Sequence, residues 1–187
     1  FINKLVNIRE FTLDLLYPKC CIGCGAEGCY ICQRCSRKLP YLSPLNCPKC
    51  GLPLGNRAFC SRCQETSWQM DSLYSVFRFE GLLRQAIHLL KYNNYRALVP
   101  VLAEQVYSFL KIIKMKADAI IPVPLHPLRI KERGYNQSSL MARQVGKLAD
   151  IPVIDGYLLR TVNTMPQVKT SSREERIKNV QGAFICR

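Results

Sequence analysis

Four C-x-x-C pairs crowd the first third of this sequence, and no other feature restricts its fold as tightly. The pairs are Cys21/Cys24, Cys32/Cys35, Cys47/Cys50 and Cys60/Cys63. Two intervening residues let both sulfurs of a pair face one tetrahedral metal ion at about 2.3 Å. Gly25 follows Cys24 and Gly51 follows Cys50. Glycine there permits the left-handed turn that aims backbone N–H groups at the sulfurs. Seven residues separate the first pair from the second and nine the third from the fourth, gaps that suit short hairpin loops. Sequential pairing gives two successive zinc ribbons. A cross-braced arrangement, pair one with three and two with four, stays open on spacing. Cys20 and Cys29 offer rival pairings and read as spare thiols, and Cys186 stands apart. With four protein ligands at each ion, zinc is structural rather than catalytic. The segment is short and polar, so metal is expected to supply most of its stability.

Composition bears on the partners. The 27 Lys+Arg against 13 Asp+Glu give a formal charge of +14, and two zinc sites of four thiolates each leave +10. Such a surface attracts phosphates, nucleic acid or anionic lipid; the plainer alternative is charge that keeps the protein soluble. Ten of the 11 cysteines lie within one segment of a 187-residue chain. With no signal-peptide grammar at the start, metal binding in a reducing cytoplasm accounts for them better than disulfides do. No apolar run reaches the roughly 18 residues of a membrane span, so an integral membrane protein is not expected. The first residue is Phe rather than Met, and the natural N-terminus is expected upstream.

Along the chain, residues 4–17 carry Leu5, Ile8, Leu13, Leu15 and Leu16 near helical spacing, ended by Pro18. Residues 71–79 alternate as a strand, and 82–91 follow as a helix in which His88 reads as ordinary. Residues 96–114 form a second helix with a stripe of Leu98, Leu102, Val106, Phe109 and Ile113. Ala119 to Val123 reads as a short buried strand. A helix runs from Asn136 and Gln137 to about Leu148. Residues 151–154, 157–160 and 182–186 are further candidate strands. The alternation argues for an α/β domain with a parallel sheet wrapped by helices. The expected organisation is a helix over 1–19, a double zinc ribbon over 20–68 and the α/β domain over 69–187.

In an open α/β sheet, ligands bind beyond the carboxyl ends of the strands. Pro124 to Gln137 occupies such a place, with His126, Arg129, Lys131 and Arg133 ahead of Gly134 and the helix opened by Asn136 and Gln137. Cations beside a helix N-terminus suit a phosphate or pyrophosphate; a solvated basic turn is the plain alternative. A second basic stretch, Thr161 to Asn179, includes Gln167, Lys169, Arg173 and Arg176. A connection of that length without apolar period suggests a mobile loop able to close over a ligand. Alternatively, Glu174 and Glu175 pair with Arg176 or Lys178 in a short solvated helix. There is no Walker-type loop, G-x-G-x-x-G or G-x-S-x-G, and Asp71, Asp118, Asp150 and Asp155 are isolated from one another.

These segments together resemble the ComF family of bacterial competence proteins along nearly the whole chain. The pieces are CCIGCG with YICQRCSRKLP, NCPKCGLPL with FCSRC, FRFEGLLRQAIHLLKY, IIPVPLHPLRIKERGYNQSSLMARQVGKL and TMPQVKTSSREERIKNVQGAF. The IPVPLHPLRIKERGYNQ segment is the most specific. The resemblance implies a double zinc ribbon before a type I phosphoribosyltransferase-like domain. Leu125 to Arg133 would then face the pyrophosphate of phosphoribosyl pyrophosphate, bound with magnesium. Met165 to Asn179, Asn179 included, would be the flexible loop. The family pattern continues with a strand and loop of the form hydrophobic-Asp-Asp-x-x-Thr-Thr-Gly-x-Thr, which holds the ribose and 5′-phosphate. The sequence ends at Arg187, ahead of that motif, so the domain is expected to lack its C-terminal part and no catalytic residue is assigned. The resemblance further implies natural transformation as the process. It implies single-stranded DNA and a helicase-like ATPase as partners, and a cytoplasmic location that extends to the inner face of the membrane beside the uptake machinery. Transfer of a phosphoribosyl group to an unknown acceptor small molecule, and a zinc-ribbon assembly subunit, are the competing implications.

Overall fold

The computed structural model describes residues 18–42, 46–47, 50, 52, 54, 60–64 and 70–187. The helix expected over 4–17 and the glycine turn at Gly51 lie outside the described residues. The chain divides into two compact units, Phe1–His88 and Leu89–Arg187.

In the first unit a tight hairpin opens the ribbon. Cys20 and Glu27 form an antiparallel bridge, and the N–H groups of Cys21 and Ile22 donate to Ala26 (2.8 Å) and Tyr30 (2.9 Å). Gly25 sits at φ 75°, the left-handed conformation the turn needs. Two single-turn helices follow, α1 (Gln33–Ser36) and α2 (Ser61–Gln64). Helix α3 (Gly81–Tyr92) starts in this unit and ends in the next. Its Leu83 and Ala86 are buried with Ile31 and Leu39, and Gln85 donates to the Ile22 carbonyl at 3.1 Å.

The strand expected over 71–79 reduces to one antiparallel bridge, Tyr41 to Phe77. Leu42 N–H donates to Val76 and Arg78 N–H to Pro40, both at 2.9 Å. Pro40 has no N–H to return, so the ladder stops there. Leu73 and Phe79, which fall on one alternate set of that run, are 43% and 58% exposed.

The second unit is mainly helical. Helix α4 (Leu98–Ile112) packs on α6 (Gln137–Ala149), with the short α5 (Pro127–Arg133) between them in sequence. Leu98, Leu102 and Phe109 of the expected stripe are buried, together with Ala142 and Val145 of α6; Val106 and Ile113 are half-buried. Strand β1 (Leu158–Arg160) pairs antiparallel with β2 (Phe184–Cys186), in the register Leu158 to Cys186 and Arg160 to Phe184. A 3-10 turn (Gln167–Lys169) and helix α7 (Arg173–Val180) lie between them.

The parallel sheet of the sequence reading is present only as one bridge among the described residues, Ile120 to Val153. Ile120 N–H donates to Pro152 (2.8 Å) and Ile154 N–H to Ile120 (3.0 Å). The run from Ala119 to Val123 was expected to be buried, yet Ile121 and Val123 are 43% and 58% exposed. Pro122, Pro124 and Pro152 lack the N–H donors that would extend a ladder, so the run stays extended without becoming a strand. Among the described residues no helix is long and apolar enough to cross a membrane.

Candidate functional site

The eight paired cysteines gather into two groups of four. The Sγ atoms of Cys21, Cys24, Cys32 and Cys35 lie within 4.8 Å of one another, and so do those of Cys47, Cys50, Cys60 and Cys63. The structure thus brings together consecutive pairs rather than the cross-braced ones. Cys20 and Cys29 stand outside both groups.

Zinc at about 2.3 Å from four sulfurs requires them to be about 3.8 Å apart. Cys24 and Cys32 approach to 3.6 Å, and Cys50 and Cys60 to 3.5 Å. Cys32 N–H donates to Cys21 Sγ at 3.3 Å and Cys35 N–H to Cys32 Sγ at 3.4 Å. Such N–H···S bonds orient thiolates toward a metal. The second bond is also a helix cap, since Cys32 is the N-cap of α1. Gly23 leaves room for this packing: a Cβ there would stand 3.0 Å from Cys35 Sγ and 3.2 Å from Leu82.

The electrostatics of the thiols also suit a cation among them. Burial first, then the neighbouring sulfurs, push Cys35 and Cys63 each up to about 12. Burial raises Cys21 too, but the N–H groups of Cys32, Gly23 and Cys24 outweigh it and hold that thiol at about 6. Four sulfurs this close cannot all ionise without a divalent ion among them. Both groups therefore fit zinc in a double ribbon, with Cys21, Cys35, Cys47 and Cys63 on the buried side of each cluster.

In the second unit, the stretch expected to be a pyrophosphate loop is largely the helix α5. His126 caps it, accepting from Leu128 N–H through Nδ1 at 3.3 Å, and Pro127 follows in the first turn. Gly134 ends it at φ 81°, its N–H donating to Ile130. Asn136 caps α6, accepting from Ser138 N–H at 3.0 Å and donating to the Val123 carbonyl at 3.0 Å.

This helix separates the candidate residues onto two faces. Leu125, His126 and Asn136 line a cavity of about 500 Å³ with Asp155, Arg160 and Thr161. Arg129 and Arg133 line a different depression of about 370 Å³ with Lys91, Tyr92 and Asn94. Lys131 is exposed and lines neither. Gln137 accepts a hydrogen bond from Arg133. In the second basic stretch, Gln167, Arg173 and Arg176 share a third depression with Ile177. Asn179 donates to the Met165 carbonyl at 2.7 Å, and Gln167 to the Arg176 carbonyl at 3.3 Å. The Lys169 side chain lies outside the described residues.

The sequence reading missed Lys91, Tyr92, Asp155 and Arg160 as lining residues, and it set Thr161 in the second basic stretch rather than beside His126. Asp155 holds Arg143 at 2.7 Å. Arg160 keeps its Nε buried with no partner among the described residues, while its Nη2 donates to Thr164. A signal existed for Lys91 and Tyr92, a cation and an aromatic ring closing an amphipathic helix. None existed for Arg160, which only the β1–β2 pairing places.

A double zinc ribbon domain family matches residues 12–64. Competence protein F of Haemophilus influenzae is 31% identical over 164 residues, which cover 83% of this chain and 68% of that protein. Competence protein ComFC of Bacillus subtilis is 27% identical over 131 residues, 66% of this chain and 55% of its own length. DNA utilization protein YhgH of Escherichia coli K12 is 27% identical over 164 residues, 83% of this chain and 69% of its own. This chain thus spans little more than half of the Bacillus subtilis relative. No solved structure matches the chain.

Proposed function

This chain belongs to the competence protein F family, and we propose that it acts in DNA uptake as a factor that binds single-stranded DNA on a phosphoribosyltransferase-like scaffold. The observation that carries the reading is the extent of the likeness. Relatives named for competence and for DNA utilization match across both units, not through the zinc ribbon alone. The formal charge of +14 supports the choice of ligand, because neutralising phosphates is the main source of affinity for single strands. The scaffold reading is supported by the parallel bridge between Ile120 and Val153 with helices between them, the connection that parallel strands need. In this reading the ribbons hold structural zinc, and a helicase-like ATPase is the protein partner.

A second reading is favoured by the 500 Å³ cavity. His126, Asn136, Arg160 and Thr161 give it polar groups around an apolar lining. Phosphoribosyl pyrophosphate with magnesium is the ligand we assign to it, with transfer to an acceptor as the activity. One titration series addresses both readings. Labelled single-stranded oligonucleotide and, separately, phosphoribosyl pyrophosphate with magnesium are titrated into the full-length product. The DNA reading expects binding that falls steeply with salt, by about 0.7 in log–log slope per phosphate contacted. DNA binding absent at low salt, with the sugar phosphate bound saturably, would replace the first reading by the second.

A further inference from the structure

We propose that the depression closed by Tyr92 and Arg133 is a nucleotide-binding subsite for single-stranded DNA, in which a base stacks on the Tyr92 ring and its phosphate is held by Lys91 and Arg133. The proposal rests on the DNA-binding reading above and gives it a place on the protein.

The depression, about 370 Å³, shares no lining residue with the larger cavity. Helical spacing explains this. Arg129, Glu132 and Arg133 stand at i, i+3 and i+4 on one face of α5, and Pro127 and Ile130 on another. The last turn of α3 supplies Lys91 and Tyr92. The Arg133 guanidinium sits 5.7 Å from the centroid of the Tyr92 ring, a cation–π distance. Tyr92 is nevertheless 65% exposed beside that cation. A large exposed aromatic adjoining arginine is the pairing on which bases stack in sequence-tolerant single-strand binding.

The charges point the same way. Lys91 and Arg133 line one depression, and the acidic lining residue, Glu132, is engaged by Arg129 at 2.9 Å. Burial first, and the Arg133 charge second, make the Lys91 ammonium less favourable than in water. A phosphate between the two cations would relieve that repulsion, and the fork of Arg133 suits its oxygens. The platform is fixed from beneath. Tyr135, two residues past Arg133, is buried and donates its hydroxyl to the Leu90 carbonyl, beside Lys91. Arg96 packs over the Tyr135 ring at 4.4 Å. The end of α3 and the end of α5 are therefore tied together rather than free to part. One exposed ring and two cations would hold a free mononucleotide weakly. A strand gains further phosphate contacts along a basic surface, and for that reason the polymer is assigned.

The test compares binding of the full chain to a fluorescent oligo-dT and to an abasic oligonucleotide of the same length, across salt concentrations. Tyr92→Leu is expected to weaken oligo-dT binding on the order of ten-fold and to erase the preference over the abasic strand. Tyr92→Phe should keep both. Lys91→Gln with Arg133→Gln should reduce the log–log salt slope by about 1.4, two contacts' worth. If the wild type binds oligo-dT and abasic strands equally, the stacking assignment is overturned without any variant. If all variants bind as the wild type does, the subsite is overturned while the DNA-binding function stands. If the wild type binds no single strand at any salt, the functional reading fails and takes the subsite with it.

Discussion

Gly146 has no room for a side chain. A Cβ at this position of α6 would come within 2.7 Å of both the Ile151 carbonyl oxygen and Val153 Cγ2. The helix and the extended segment beyond it are pressed together here, and Asp150 turns between them at φ 55°. Gly146→Ala is expected to force the segment away from α6 and to cost about 1–3 kcal/mol, the usual range for overpacking. A urea titration of the second unit's helical signal checks it, and an unchanged midpoint would mean that the close approach is not kept in solution. The sequence marks this glycine only as a weak helix residue; its role depends on Val153, which no local pattern connects to it. The cysteines are the opposite case. Their identity and spacing name both the chemistry and the partners, because a C-x-x-C pair already holds two of four ligands in place.

At the scale of elements, caps decide where structure begins and ends. Helix α7 has no buried residue, so hydrogen bonds, those of its first turn among them, carry much of its stability. Ser172 accepts from Glu175 N–H at 3.1 Å, and the Glu175 carboxylate accepts from Ser171 N–H and hydroxyl at 2.8 and 2.9 Å. Ser172→Ala is expected to destabilise the helix by about 1 kcal/mol. The Ser171 N–H first, then its hydroxyl, hold the Glu175 carboxyl below its ordinary value of 4.5. A group depressed in the folded state stabilises it fully above the unfolded value and stops doing so as pH falls through the folded one. Amide exchange over 173–180 should therefore be steady from neutral pH down to about 5 once corrected for intrinsic rates, and speed up below 4.5. Exchange protection indifferent to pH across that range would discard the cap. The signals for α5 were equally local, His126-Pro127 at its start and Gly134 at its end. They were outweighed in the sequence reading by the density of cations, which looked like a loop.

At the scale of the whole molecule, the two units differ in what holds them. The first gathers eight thiols into two clusters, while the second buries Leu90, Leu98, Leu102 and Phe109. Removing metal with a strong chelator should unfold the ribbons and leave the α4–α6 pair intact. Zinc content and circular dichroism, measured together, should show loss of metal with most helical signal retained. Cys47→Ser with Cys50→Ser should reduce zinc from two ions per chain to one, because its cluster shares no ligand with that of Cys21. Unchanged zinc would refute the ligand assignment. The sequence by itself determined the ribbons, the three long helices and the basic character. Each of these follows from ligand chemistry, an apolar repeat or a sum over residues, and none needs a distant neighbour to be specified. Tertiary structure alone decided the rest. It set the parallel pairing at a single Ile120–Val153 bridge, since prolines withhold the donors a longer ladder requires. It also divided the cations of α5 from His126 and Asn136 and set them against Tyr92, because which face of a short helix meets which neighbour depends on packing between segments some 40 residues apart in the chain.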